Sequence, residues 1–297
     1  MGLHPRSLIA AKPLPRCSTG RQPRANIDMT QALSLPMYDL PEMEEANLGF
    51  LAALRQRLRV KGFDTVGGVL GNSHSAVLTD AGPGILFTQI CGYPLFKHYR
   101  DQYVILATPH YAMPGCEESR HRAFFIVRAD DSAERLEDLR GGVFGCNSLL
   151  SNSGMNLPRL SLARIAGGKP FFSSVVMTGA HVTSLERLDE GSIDICSIDN
   201  VTWGFFKKFR PIAAERYRIL DETVSSPSLP FVTSASTAES DVAAVVEALY
   251  EIMSDSETAH IRETLELTNL SAPDLAAYEG LAVYEREAIE LGFPEIR

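Results

Sequence analysis

The sequence predicts an α/β protein with parallel strand pairing at its centre and enough chain for two lobes. Three observations carry that prediction. Between residues 85 and 222, short apolar, β-rich runs alternate with helix-like runs, the order from which parallel sheets are built. The chain has 297 residues, 45% hydrophobic and 22% charged, so it can bury a large core and still divide. The polar loops fall after strand ends, where open α/β sheets place their ligands.

The elements follow in order. Residues 32–38 read as a strand, after which Asp39, with Glu42 three residues on and Pro41 in the first turn, reads as a capping-box-like helix start. Met43, Phe50, Leu51, Leu54 and Leu58 then recur at helical spacing until Gly62. Residues 85–91 form the next strand, ending in Gly92-Tyr93-Pro94. Strands over 103–108 and 123–128 come next, followed by a helical stretch over 133–139 and a strand over 143–147. A polar turn at Ser151 opens a helix over 155–165, which Gly167-Gly168 stops. Residues 172–178 are a strand, and 181–188 a short helix with Val182, Leu185 and Leu188 on one face. Residues 194–198 form a strand that runs into Asp199 and a helix ending in Lys207-Lys208. Residues 217–222 are strand-like, 225–230 a crossover with two prolines, and from Ala238 the pattern is helical almost to the end.

Composition limits the function. A net charge of −9 opposes a nucleic-acid or anionic-membrane partner, both of which attract a basic face. No run approaches the ~18 apolar residues of a membrane span. Cys17, Cys91, Cys116, Cys146 and Cys196 are scattered and odd in number, which suits free thiols rather than a disulfide framework. Residues 1–30 differ from the rest: Arg6, Lys12, Arg16, Arg21 and Arg24 precede the first acid, Asp28. This stretch reads as a disordered or non-native extension, and Leu8-Ile-Ala-Ala11 is shorter than the ~7 apolar residues of a signal-peptide core. On the residues alone, the chain is therefore expected in the cytoplasm. His110, Cys116 and His121 match no zinc spacing, so neither a metal nor a cofactor is expected. No nucleophile elbow is present, and Gly167-Gly-Lys-Pro170 lacks the rest of a P-loop, so no catalytic residue is assigned.

Chemistry gathers instead at Ser151-Asn-Ser-Gly154. Small polar side chains and a glycine at a helix start offer backbone N–H groups and a positive dipole end to an anion. With no lysine or arginine between Gly141 and Pro158, neutral hydrogen bonds would hold that anion. The same residues would equally serve as a plain N-cap. His181 stands as a pocket donor or as part of the cap at Thr183-x-x-Glu186, and Asp199 as a helix cap or a pocket wall. Tyr93, between Gly92 and Pro94, is a rigid aromatic for a ligand or for a lobe interface, while the lone Trp203 reads as core.

Five motifs in order resemble the periplasmic phosphate/phosphonate-binding proteins of ABC importers, on the type II binding-protein fold. They are Leu35-Pro-Met-Tyr38, Gln89-Ile-Cys-Gly-Tyr-Pro94, Ser151-Asn-Ser-Gly154, Thr178-Gly-Ala-His181, and Asp194-Ile-Cys-Ser-Ile-Asp199 with Trp203. The resemblance spans roughly residues 31–235. It implies two lobes of mixed sheet flanked by helices, one from 31–115 plus 221–297 and the other from 116–220, with a cleft between them. It implies that Ser151, Asn152, Ser153 and Gly154 hold phosphonate or phosphate oxygens and that His181 adds a donor. Tyr38, Gln89 and Tyr93 would line the first-lobe wall, and Asp199 would meet an amino or hydroxyl group of the ligand. The implied partners are a small oxyanion and an ABC transporter permease, and the implied compartment is the periplasm. A cytosolic lyase-like enzyme on the same fold, with Asp199 or His181 as general acid/base, is the alternative. A cytosolic sensor is a third reading.

Overall fold

The computed structural model describes residues 31–63, 65–67 and 84–297, and the extension expected over 1–30 lies outside them. One sheet is built from β1 (Gln31–Leu33), β2 (Thr65–Gly67), β3 (Ile85–Gln89), β4 (Tyr103–Tyr111), β12 (Phe231–Ser234) and β13 (Leu267–Ser271). Their order across it is β13-β4-β12-β3-β1-β2. The second sheet contains β6 (Ala123–Arg128), β7 (Val143–Cys146), β8 (Ser174–Met177), β9 (Ile195–Asp199) and β10 (Tyr217–Glu222), ordered β10-β6-β9-β7-β8. Both sheets are mixed rather than parallel throughout. β1 pairs in parallel with β2 and β3, and β7 with β8 and β9, whereas β12, β13, β6 and β10 run antiparallel to their neighbours.

β3 and β12 are buried along their whole length, including their polar ends Thr88-Gln89 and Thr233-Ser234. The edge strand β10 buries Tyr217 and sets Asp221 and Glu222 toward solvent, charges that discourage pairing with another chain. In the first lobe the helices Glu44–Val60 and Glu239–Ser254 pack on the sheet, with Phe50, Phe87 and Phe231 in mutual ring contact at 5.1–6.1 Å. In the second lobe Trp203 stacks on Phe206 at 5.9 Å and meets Tyr217 edge-on at 6.4 Å. Its place is in the core.

Several boundaries depart from the sequence expectation for local reasons. β1 ends at Leu33, and Tyr38 sits in a bend after Pro36 rather than in a strand. The helix start is a 3₁₀ turn over Pro41–Met43 with Leu40 at the cap position, and Asp39 makes no capping bond. Of the stretch 133–139, only Leu136–Leu139 winds, as one 3₁₀ turn. β13 interrupts the run expected to be helical. Leu267 and Leu270 face the core while the residues between them lie exposed, and pairing with β4 supplies their backbone partners.

Two crossovers join the lobes and lie side by side. β5 (Arg120–His121) pairs with β11 (Ser226–Pro227), placing Ser226 opposite His121. Arg120 Nε donates to Ser225 Oγ at 2.6 Å, and Ser228 N–H to the Ser119 carbonyl at 2.8 Å.

The last segment, from Leu275, crosses to the second lobe. Tyr278 stacks on Phe96 and donates to the Ser228 carbonyl at 2.7 Å. The Leu281 carbonyl accepts from Asn156 Nδ2 at 3.2 Å, the Pro294 carbonyl from Arg159 at 3.0 Å, and the Arg297 carbonyl from Phe172 N–H at 3.0 Å. Glu285 bridges Lys97 of the first lobe and Arg159 of the second.

Candidate functional site

After β7 the chain turns through Asn147–Leu150 into the helix Leu157–Ala166, and the first turn, Asn152–Asn156, is π-wound. Ser151 stands in extended conformation at the cap; its Oγ accepts the Gly154 N–H at 2.9 Å and its carbonyl the Asn156 N–H at 3.1 Å. Gly154 is required by space: a Cβ there would lie 1.7 Å from Asn147 Oδ1. The turn is buried, and its polar groups are largely committed. Asn152 N–H donates to Cys91 Sγ at 3.3 Å, its Nδ2 reaches Ser226 Oγ in the crossover at 2.9 Å, and its Oδ1 accepts from Asn156 Nδ2 at 3.1 Å. Ser153 Oγ meets His181 Nε2 at 3.0 Å, and its carbonyl accepts from Ser197 Oγ at 2.7 Å. Thus Ser153 and His181, at the starts of two different helices, are brought together. Ser151 acts as the cap, and Asn152 ties the turn to the crossover.

Asp199 closes β9 and caps the helix Asn200–Phe209, its Oδ1 accepting from Val201 N–H at 2.9 Å and Thr202 N–H at 3.2 Å. Its Oδ2 lies 2.7 Å from Nδ1 of His121, which is wholly buried. A carboxylate has about four lone-pair sites, and three are taken here. The group expected to meet an amine on the ligand is therefore engaged mainly within the protein. Burial pushes the Asp199 pKa up, but the facing His121, with His181 and the cap amide, more than offsets this and holds it below the ordinary value. An ionised Asp199 can only accept, so His121 Nδ1 carries a hydrogen and Nε2 is the ring's outward face. That Nε2 is buried and has no hydrogen-bond partner among the described residues.

The first-lobe wall holds Tyr38 and Tyr111, packed edge to face with centroids 5.2 Å apart, and Tyr38 also lies against Phe205 of the second lobe. Gln89 Nε2 donates to Tyr111 Oη and to the Leu229 carbonyl, both at 3.0 Å. Burial, then the negative Asp199, pushes the Tyr38 phenol up, so it stays a neutral donor. Its Oη, like Ser228 Oγ in the crossover, is buried with no partner among the described residues. Tyr38, Gln89, Tyr111 and Phe205 help line a small apolar cavity of about 20 Å³. Tyr93 belongs elsewhere. It packs in the cluster under the C-terminal segment, and its hydroxyl accepts from Lys97 at 2.9 Å.

Cys91 and Cys116, near Asp199, are each raised to about 11 chiefly by burial and stay protonated thiols. His110 bonds Ser271 Oγ and Cys116 accepts from Asn200, so these two and His121 serve three separate contacts. Among the described residues, no group of three or more metal-ligating side chains is gathered. His121, Tyr111 and Ser228 were not singled out for a ligand from sequence. The crossover loop 225–230 was the one local signal near them.

One family's sequence profile, that of the ABC transporter, phosphonate, periplasmic substrate-binding protein, matches residues 34–278. Similar solved structures include a binding-protein component of an ABC phosphonate transporter from Pseudomonas aeruginosa, at 12% identity, 88% of each chain covered and a TM-score of 0.74. PhnD1 from Prochlorococcus marinus in complex with methylphosphonate is similar at 13% identity, over 88% of this chain and 99% of that one, with a TM-score of 0.71. XAC2383 from Xanthomonas citri bound to ATP is similar at 16% identity, over 89% of this chain and 98% of that one, with a TM-score of 0.67. At such identities the likeness is one of fold. No curated protein matches the chain.

Proposed function

Because the chain belongs to the family of periplasmic substrate-binding proteins of phosphonate ABC transporters, we propose that it captures a small phosphonate-type oxyanion between its lobes and presents it to a membrane permease. The observation that carries this reading is the cluster around Ser153. Ser153 Oγ meets His181 Nε2 there, Asp199 interacts with His181, His121 and Tyr38, and Tyr38 Oη and His121 Nε2 are buried with no partner among the described residues. Buried polar atoms of this kind cost free energy unless something pairs with them, and a bound oxyanion is such a partner. Among the described residues, the hydrogen bonds of Ser153, His121 and Asp199 involve no lysine or arginine. The anion would be held by neutral donors and the start of the helix carrying Ser153.

The cavity beside Tyr38 suits a one- or two-carbon uncharged substituent, since about one water needs ~10–15 Å³. Capture would proceed by closure of the lobes about the paired crossovers.

Thermal denaturation with methylphosphonate, phosphite and phosphate tests the reading. At one hundred times its Kd, a bound anion stabilises the fold by about 2.7 kcal/mol, and the melting temperature rises accordingly. Phosphorus NMR of the recovered ligand should show it unchanged. If none of the three anions raises the melting temperature, the reading fails.

A further inference from the structure

We propose that His121 Nε2 contacts the ligand directly and shares one proton with a ligand oxygen, with Asp199 as the positioning residue that fixes the imidazole tautomer. This rests on the phosphonate reading and goes beyond it by naming what the site discriminates. Three observations carry it. His121 is fully buried, its Nδ1 is committed to Asp199 at 2.7 Å, and its Nε2 has no partner among the described residues. Asp199 stands at the site: its charge is felt by Tyr38, Tyr111, Cys91 and Cys116, and it interacts with His181, which bonds Ser153. The strand opposite His121 holds Ser226, which bonds Asn152 of the anion-binding turn.

The chemistry follows from the inventory of donors. With its hydrogen on Nδ1, a neutral His121 offers only an acceptor at Nε2. Tyr38 and Ser153 offer hydroxyl donors. An oxyanion that still carries a hydroxyl, as a singly protonated phosphonate does, gives its P–OH hydrogen to Nε2 and accepts at its other oxygens. If the proton moves to Nε2, the imidazolium lies between two anions, and the proton count is unchanged. A sulfonate has the same tetrahedral shape and single charge but brings no proton, so Nε2 would face an oxygen lone pair. A site built to pair with a substrate hydroxyl rejects an analogue that lacks it by large factors. The ligand class is therefore the small phosphonates that retain an ionisable P–OH, in preference to sulfonates.

Isothermal titration of the full chain with methylphosphonate and with methanesulfonate provides the test. The wild type is expected to prefer methylphosphonate by at least about 100-fold. His121→Phe should bring the two affinities to within a few-fold of each other. Asp199→Asn is more telling. Its Oδ1 keeps the helix cap while its Nδ2 donates to His121 Nδ1, which moves the ring hydrogen to Nε2 and shifts the preference toward methanesulfonate. A purely structural role for Asp199 would lower both affinities together and overturn the proposal. So would a wild type that binds both ligands alike, or a His121→Phe variant that keeps the preference. If either variant fails to fold, nitrogen NMR of the wild-type complex decides: a His121 Nε2 shift unmoved by methylphosphonate overturns the proposal. Failure of the wild type to bind either ligand removes the phosphonate reading itself, a result distinct from equal binding.

Discussion

The Ser151–Gly154 turn and the paired crossovers meet where Asn152 Nδ2 donates to Ser226 Oγ, yet they are finished to different degrees. In the turn nearly every polar group is already answered: Ser151 by Gly154, Asn152 by Ser226 and Asn156, Ser153 by His181. In the crossovers, His121 Nε2 and Ser228 Oγ are buried and unanswered among the described residues. Folding alone accounts for the turn, since caps and side-chain bonds of this kind stabilise a helix start without any ligand. It does not account for the crossovers, where orphaned polar atoms lower stability. The difference teaches that a polar motif visible in sequence can be largely structural, while buried polar atoms with no partner among the described residues also sit on elements that carry no motif.

Asp199 should break this contrast most severely. Asp199→Ala removes the helix cap and strips His121 of its buried partner, and a loss of about 3–5 kcal/mol in unfolding free energy is expected from urea titration. The pH dependence has a definite sign. The folded carboxyl is held below its ordinary value and the unfolded one returns to it. The wild-type advantage over the variant should therefore be full above about pH 4 and fade as the pH falls through the folded value. A pair of serines sharpens the comparison within the turn. Ser153→Ala should weaken methylphosphonate binding by ~1–3 kcal/mol in calorimetry. Ser151→Ala should instead lower stability by about 1 kcal/mol, with binding affected only through the loosened cap. Unchanged affinity in Ser153→Ala would take the turn out of the site. Tyr38→Phe carries the smallest effect. Removing an unpaired buried hydroxyl should leave the melting temperature of the ligand-free protein unchanged or raised, while binding weakens by about 1 kcal/mol. A drop in both would mean that the hydroxyl is bonded in the ligand-free protein.

What could be read from the sequence depended on whether the signal was local. β6 and β10 stand where their β-branched and aromatic runs place them, and Gly167, in left-handed conformation, ends its helix as expected. β13 was hidden because Leu267 and Leu270, three apart, mimic helical spacing, and only the neighbouring β4 decides otherwise. Asp199 was legible as a polar strand end, but its partner His121 lies 78 residues away, between Arg120 and Arg122. Ser153 and His181 were each legible, and the fold supplied their contact. Tyr93 sat in the right motif but faces Lys97, because the C-terminal segment packs over that side of the first lobe.

That segment grips both lobes at once, through Tyr278 on the first and through the Leu281, Pro294 and Arg297 carbonyls on the second. Parting the lobes must peel one set of these contacts away. A barrier of this kind acts on entry and exit alike. If the lobes part to exchange the proposed ligand, the segment would act as a brake, setting how long an occupant stays and how soon the next can enter.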